Sequence, residues 1–78
     1  MTILEEEKLR VEYLISKLTE SGINISFSTL RKDYQLNIEG YVRGTNAIAN
    51  MKIGTAYKVA QLLGITIDDI YTAGGKIK

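Results

Sequence analysis

The side chains that could carry out chemistry in this chain are carboxylates, Lys and Arg cations, hydroxyls and amides. The 78 residues include no cysteine and no histidine, which removes the thiol nucleophile, the imidazole base and the ligands that zinc prefers. The Asp and Glu residues do not follow the D-x-D-x-D-G spacing of a calcium loop. We therefore expect no enzyme activity, no metal site and no cofactor.

The positive charge of the chain is concentrated in its centre. The net charge is +1, but residues 22–63 carry five Lys or Arg against two carboxylates, whereas residues 1–21 carry three against five Glu. A basic segment attracts polyanions weakly, and an ordinary solvated surface has a similar balance. The charge pattern therefore allows a nucleic-acid partner without requiring one.

The apolar residues fit a small core and not a membrane span. The longest uninterrupted apolar run covers residues 62–65, far short of the roughly 20 residues that a spanning helix needs. The first residues are acidic, whereas the start of a signal peptide is basic. We expect a cytoplasmic protein without membrane contact.

Two regions carry clear helix signals. A helix is predicted over residues 3–21, with Thr2 as its N-cap, Glu5 at the capping-box position and Gly22 as its left-handed C-cap. Its apolar face comprises Leu4, Val11, Leu14, Ile15 and Leu18.

The second region lies near the end of the chain. There Asn50 is predicted to cap a helix over residues 51–63 that ends at Gly64. Thr66, with Asp69 at the box position, is predicted to cap a short last helix. The predicted inward side of the longer helix comprises Ile53, Ala56, Tyr57, Val59, Ala60, Leu62 and Leu63.

The centre is predicted to hold two shorter helices. Ser26 can cap a helix over residues 27–33, and Asn37 can cap another over residues 38–43. Gly40 inside the second costs ~1 kcal/mol relative to alanine, unless a close approach of a partner to the backbone requires it. The expected fold is therefore all-α, a compact five-helix domain over residues 1–72 with a loose tail over residues 73–78.

The last third of the chain resembles the end of an XRE-type (Cro/repressor-like) helix-turn-helix domain. Residues 58–64 read K-V-A-Q-L-L-G and match the family phrase K-[IVL]-A-x-x-L-G, and residues 66–70 match the following [ST]-[IVL]-[DE]-[DE]-[IL]. This likeness covers about 22 residues. It implies a lambda-repressor-like helix-turn-helix fold and a sequence-specific DNA-binding regulator, a repressor, that acts as a homodimer.

The rest of the helix-turn-helix motif can be aligned with this chain in two registers. In the preferred register the recognition helix spans about residues 36–43, the helix before it spans about 26–32, and Ile38 is its buried apolar residue. In the rival register the recognition helix spans about residues 27–34, which leaves no residues for a first helix. The chain departs from the family in lacking the G-[VI]-S turn between the second and third helices and the small alanine of the second helix.

The preferred register implies a set of DNA contacts. In such motifs the recognition helix lies in the major groove and the preceding helix crosses the backbone. Gln35 and Asn37 would suit adenine, and Arg43 would suit guanine or a phosphate. The phosphate contacts would come from Ser26, Ser28, Thr29, Arg31, Lys32, Thr45 and Asn46.

A function of a different class remains open. The same scaffold could serve as a protein-binding module, such as an antitoxin-like partner or an inhibitor or adaptor from a mobile element. Asn37 could act only as a helix cap, and Arg31 and Lys32 could be an ordinary solvated pair. The excess of +3 in the centre is small for tight DNA binding, so phosphate contacts would require nearly every central cation or two subunits.

Overall fold

Five α-helices and one short 3₁₀-helix form the part of the chain that this computed structural model describes, residues 2–21 and 27–77. No strand occurs among these residues. The all-α class and the five helices are as predicted. The elements are α1 (Ile3–Glu20), α2 (Phe27–Asp33), α3 (Glu39–Arg43), the 3₁₀-helix (Ile48–Asn50), α4 (Ile53–Leu63) and α5 (Ile67–Thr72).

Local caps define the ends of α1, α4 and α5. The Thr2 hydroxyl accepts a hydrogen bond from the Glu5 amide at 3.1 Å. At the start of α5 both hydrogen bonds of a capping box are present. The Thr66 hydroxyl accepts a hydrogen bond from the Asp69 amide, and the Asp69 carboxylate accepts one from the Thr66 amide. Gly64 ends α4 at φ 67°, the left-handed conformation that suits glycine. The predicted caps Gly22 and Ser26 lie outside the described residues.

The beginning of α4 differs from the prediction. Asn50 does not cap this helix, because it belongs to the 3₁₀-helix, and Lys52 is the N-cap residue. Ile53 and Tyr57 were expected in the core but are 65% and 53% exposed. Ile53 and Tyr57 lie one turn apart on one side of α4. The neighbouring side, which contains Ala56, faces the core.

The third helix is shorter than predicted. Asn37 is exposed and does not cap it; Ile38 holds the N-cap position, without a side-chain cap bond. Ile38 is buried, and its φ of −119° and ψ of 4° lie outside the helical range. Residues 36–38, assigned by sequence to the recognition helix, therefore belong to the turn that precedes α3.

One hydrophobic core joins all the elements. The radius of gyration is 11.6 Å, close to the roughly 11.5 Å expected for a globular chain of this length. Two residues assigned to the apolar face of α1, Leu4 and Ile15, lie outside this core and are exposed. The buried core residues are Leu14, Leu18, Leu30, Leu36, Ile38, Ile48, Met51, Ala56, Val59, Ala60 and Ile70.

A half-buried ion pair on α1 ties three elements together. The Glu7 carboxylate accepts hydrogen bonds from the amides of Ile48 and Ala49 at 2.7 and 3.1 Å, so it caps the 3₁₀-helix from a distance of 41 residues in sequence. Arg10 donates to the same carboxylate and, through Nε, to the Tyr71 carbonyl on α5 at 2.6 Å. This pair fixes the start of the 3₁₀-helix and the end of α5 against α1.

The phenol of Tyr71 adds a further link between these elements. Its hydroxyl donates to the Met51 carbonyl at 2.6 Å, in the segment that joins the 3₁₀-helix to α4. Burial raises the pKa of this hydroxyl above its usual 10.0, and the nearby Tyr41 adds to the effect. The neutral, hydrogen-bonding form of Tyr71 is thereby favoured.

The segment after α5 packs on the domain, contrary to the loose tail expected from sequence. Ala73 and Ile77 are buried, and the Ile77 amide donates to the Thr72 carbonyl at 2.9 Å. Gly74, at φ 69°, lies against the ring of Tyr13 on α1. Glycine is needed here because a Cβ would lie 2.7 Å from that ring.

This packing predicts unequal effects of alanine at two glycines with nearly equal φ. Gly64→Ala adds only the left-handed backbone cost, about 1 kcal/mol, because its Cβ would meet no atom within 4 Å. Gly74→Ala should cost about 2–3 kcal/mol, because the Tyr13 ring must also shift. Urea denaturation of both variants checks this, and equal losses would mean that the tail does not pack on α1.

Candidate nucleic-acid interface

A turn anchored in the core joins α2 to α3. Gln35 adopts φ 54°, a left-handed conformation that few residues other than glycine take readily. The amides of Tyr34 and Leu36 both donate to the Leu30 carbonyl at 3.1 Å, which closes the end of α2. Leu36 and Ile38 are then buried, while Gln35 and Asn37 alternate with them and point outward.

One carboxylate brings together arginines from both helices. Glu39 Oε1 on α3 lies 3.5 Å from Nη1 of Arg31 on α2, and Glu39 Oε2 lies 3.3 Å from Nε of Arg43. The two arginine side chains remain 48% and 65% exposed. Their cations therefore lie on one solvent-facing surface, where Glu39 neutralises part of their charge.

Two further contacts extend this surface. The Arg43 guanidinium lies over the ring of Phe27, 5.9 Å from its centroid, so the end of α3 lies near the start of α2. Lys58 on α4 donates to the Gln35 carbonyl at 3.3 Å, which places a cation beside the turn. We name Arg31, Arg43 and Lys58, together with the exposed Lys32 that follows Arg31 on α2, the basic surface.

Nine of the ten residues predicted from sequence to contact DNA are exposed, and the tenth, Ser26, lies outside the described residues. The nine lie on α2, in the turn after it, on α3 and in the turn after α3. They are Ser28, Thr29, Arg31, Lys32, Gln35, Asn37, Arg43, Thr45 and Asn46.

The turn after α3 explains the glycine within that helix. The amides of Thr45 and Asn46 donate to the Gly40 carbonyl at 2.9 and 3.0 Å, and the Thr45 hydroxyl donates to it at 3.2 Å. The Asn46 side-chain amide lies so close to Gly40 that a Cβ at residue 40 would displace it. The close approach to Gly40 thus comes from the chain itself.

Sequence reasoning missed two residues of this region. Glu39 was read only as part of the charge balance, although its spacing of four residues from Arg43 is the usual signal of a helical ion pair. Lys58 was read only as part of the family phrase. Its contact with Gln35 spans 23 residues, and no local pattern indicates it.

No protein-family model, curated protein or solved structure matches the chain. Within the described ranges, no helix is long and apolar enough to cross a membrane. The same ranges contain no group of three or more carboxylates placed to hold a metal ion. The geometry of the α2–α3 region therefore carries the functional argument.

Proposed function

We propose that this chain is a DNA-binding transcriptional regulator, a repressor of the XRE type. In this proposal α3 and the turn before it enter the major groove while α2 crosses the phosphate backbone. The observation that carries it is a helix–turn–helix unit whose two helices expose cations on one surface, joined through Glu39. Exposed cations from adjacent helices are what a duplex backbone requires.

The geometry of the turn supports the family resemblance at a point where the sequence departs from it. The family phrase G-[VI]-S places glycine, the residue that most readily takes a left-handed conformation, before an apolar residue. Gln35 supplies the left-handed conformation and Leu36 the buried side chain, with Asn37 exposed after them. Residues 35–37 are therefore compatible with such a turn although their residue types differ from the family phrase.

The order of the helices favours the preferred register. The rival register places the motif's second helix over about residues 14–23, but α1 runs without a break from Ile3 to Glu20. When α1 serves as the first helix, α2 and α3 take the second and third positions. In this register Asn37 and Gln35 are assigned to adenine edges and Arg43 to guanine or a phosphate.

The charges set a quantitative expectation for binding. If each of the four cations of the basic surface binds one phosphate, log K should fall with log salt at a slope of about −3.6 per subunit. Asp33 and Glu39 lie among these cations and reduce the field, so binding to random sequence should be in the micromolar range.

Removal of two cations should flatten this salt dependence. The double variant Arg31→Ala, Lys32→Ala is expected to make the slope less negative by about 1.8, because two phosphate contacts are lost. Fluorescence anisotropy with a labelled duplex at several salt concentrations measures the slope of log K against log salt. The matched control is Lys17→Ala with Lys76→Ala, which removes the same charge elsewhere and should keep the slope. Equal slopes for both double variants would refute the proposed surface.

A second candidate function is a protein-binding module on the same scaffold. The observation that favours it is the exposure of Ile53, Tyr57 and Tyr34 on α4 and beside the α2–α3 turn. Tyr34 lines a shallow groove of about 400 Å³ with Gln61, whose amide donates to the Tyr57 hydroxyl. Tyrosines are enriched in protein interfaces. Failure to bind duplex DNA at low salt would favour this function.

A further inference from the structure

One side of α1 exposes apolar residues at both ends of a row. Leu4 is 82% exposed and Ile15 is 42% exposed. At 100° per residue, Leu4, Lys8, Glu12 and Ile15 lie along one side of the helix, beside the half-buried Val11. We call Leu4, Lys8, Glu12 and Ile15 the α1 strip. It runs for about 16 Å along the outside of the domain.

The two charges in the middle of the strip lack partners. Lys8 and Glu12 are exposed and form no ion pair or hydrogen bond within residues 2–21 and 27–77. The other charged residues of α1 are all paired or hydrogen-bonded. The Glu5 carboxylate accepts a hydrogen bond from the Thr2 hydroxyl, Glu6 and Glu7 pair with Arg10, and Lys17 pairs with Glu20.

Grooves border the strip on both sides. The larger, of about 520 Å³, lies between α1 and the turn of residues 44–47, and Ile3, Leu4 and Val11 contribute to its lining. The smaller, of about 270 Å³, contains Leu9. Lys8 and Glu12 form part of the wall of both. A second helix laid along the strip could insert side chains on either side of this wall.

We propose that the α1 strip is a homodimer interface, in which two copies of α1 pack antiparallel about a two-fold axis near residues 9 and 10. The axis places Leu4 against the partner's Ile15 and Lys8 against the partner's Glu12. Each contact then occurs twice, as a two-fold interface requires. A parallel arrangement would instead place Lys8 against the partner's Lys8.

The occupant is a second copy because the strip is complementary to itself. Its apolar ends and its opposite charges lie at nearly equal distances from one midpoint. The area is modest, since α1 is 18 residues long and a standard stable interface buries about 1,600 Å² in total. The dimer is therefore weak and concentration-dependent. This inference does not depend on DNA binding.

Charge exchange across the axis provides the test. Sedimentation velocity of the full chain, from about 1 µM to about 1 mM, should show a monomer–dimer equilibrium. Lys8→Glu alone and Glu12→Lys alone should each raise the dimer Kd at least about tenfold, because each turns two attractions into two repulsions. An equimolar mixture of these two variants should form a heterodimer, and the variant that carries both changes should dimerise like the parent.

Two controls separate this face from others. Lys76→Glu makes the same charge change outside the strip and should leave the Kd unchanged. Leu4→Ala should weaken the dimer, whereas Ile53→Ala, at an exposed isoleucine of α4, should not. Far-ultraviolet circular dichroism verifies that each variant folds. A monomer at all concentrations, single charge variants that dimerise as tightly as the parent, or a mixture that dimerises no more tightly than either single variant would overturn the proposal.

Discussion

Glu7→Ala should lower the free energy of unfolding by about 3 kcal/mol, the largest effect we expect for one surface-accessible residue. The carboxylate accepts from the Ile48 and Ala49 amides and binds Arg10, and the two charged side chains are only 17% and 11% exposed. Its removal leaves two amides of the 3₁₀-helix without an acceptor and a half-buried guanidinium without its main partner. Alanine favours the helix, so α1 itself is not weakened.

Urea denaturation followed by circular dichroism measures this loss. The matched control is Glu20→Ala, which removes an exposed ion pair with Lys17 on the same helix and should cost at most about 0.5 kcal/mol. Glu7→Gln retains one acceptor oxygen, so its loss in the free energy of unfolding should lie between those of Glu7→Ala and Glu20→Ala. This variant keeps the test informative if Glu7→Ala does not fold. Similar small losses for Glu7→Ala and Glu20→Ala would contradict the capping role.

Glu39→Gln should tighten binding to duplex DNA about tenfold at low salt. The substitution removes a negative charge from the proposed DNA-facing surface and releases Arg31 and Arg43 from a shared carboxylate. Phosphates within one Debye length of this surface are then attracted by two guanidinium groups whose charge is no longer offset by a carboxylate.

Asp33→Asn is the matched control for this prediction. It makes the same change in net charge at the end of α2, but Asp33 forms no ion pair with a described residue. Its effect on affinity should therefore be smaller than that of Glu39→Gln. Weaker or unchanged DNA binding by Glu39→Gln would mean that Arg31 and Arg43 do not contact phosphates. Anisotropy titrations at two salt concentrations distinguish these results.

The elements that sequence predicted correctly are those whose signals are local. The box of Thr66 and Asp69, the cap at Thr2 and the left-handed Gly64 each lie within four residues of the helix end that they define. The beginning of α4 was predicted wrongly because the preceding 3₁₀-helix is capped by Glu7, 41 residues earlier. No window along the sequence contains that interaction.

Periodicity also overestimated the buried surface. Ile53 and Tyr57 have helical spacing with the core residues of α4, yet they are more than half exposed. Spacing identifies rows of a helix, but which row faces the core depends on where the neighbouring helices lie. The buried Ala73 and Ile77 show the reverse error, because a segment with weak local signals can still pack against α1 and α5.

The exposure of the candidate site's residues could be predicted from the sequence, but their electrostatics could not. The register that the family resemblance implies assigned DNA contacts to polar residues of α2 and the following turn, and the described ones are exposed. The position of Glu39 between two arginines required the fold, because Arg31 and Glu39 are eight residues apart and lie on different helices. That contact sets the strength expected of the proposed interface.

The most direct test of the central claim is the binding of the purified protein to a random-sequence duplex, followed by fluorescence anisotropy at several salt concentrations. We expect micromolar binding, with a slope of log K against log salt of about −3.6 for one subunit, or about −7 where two subunits bind together. Selection of an operator sequence would then follow. No binding even at low salt would contradict the account and point to a protein partner.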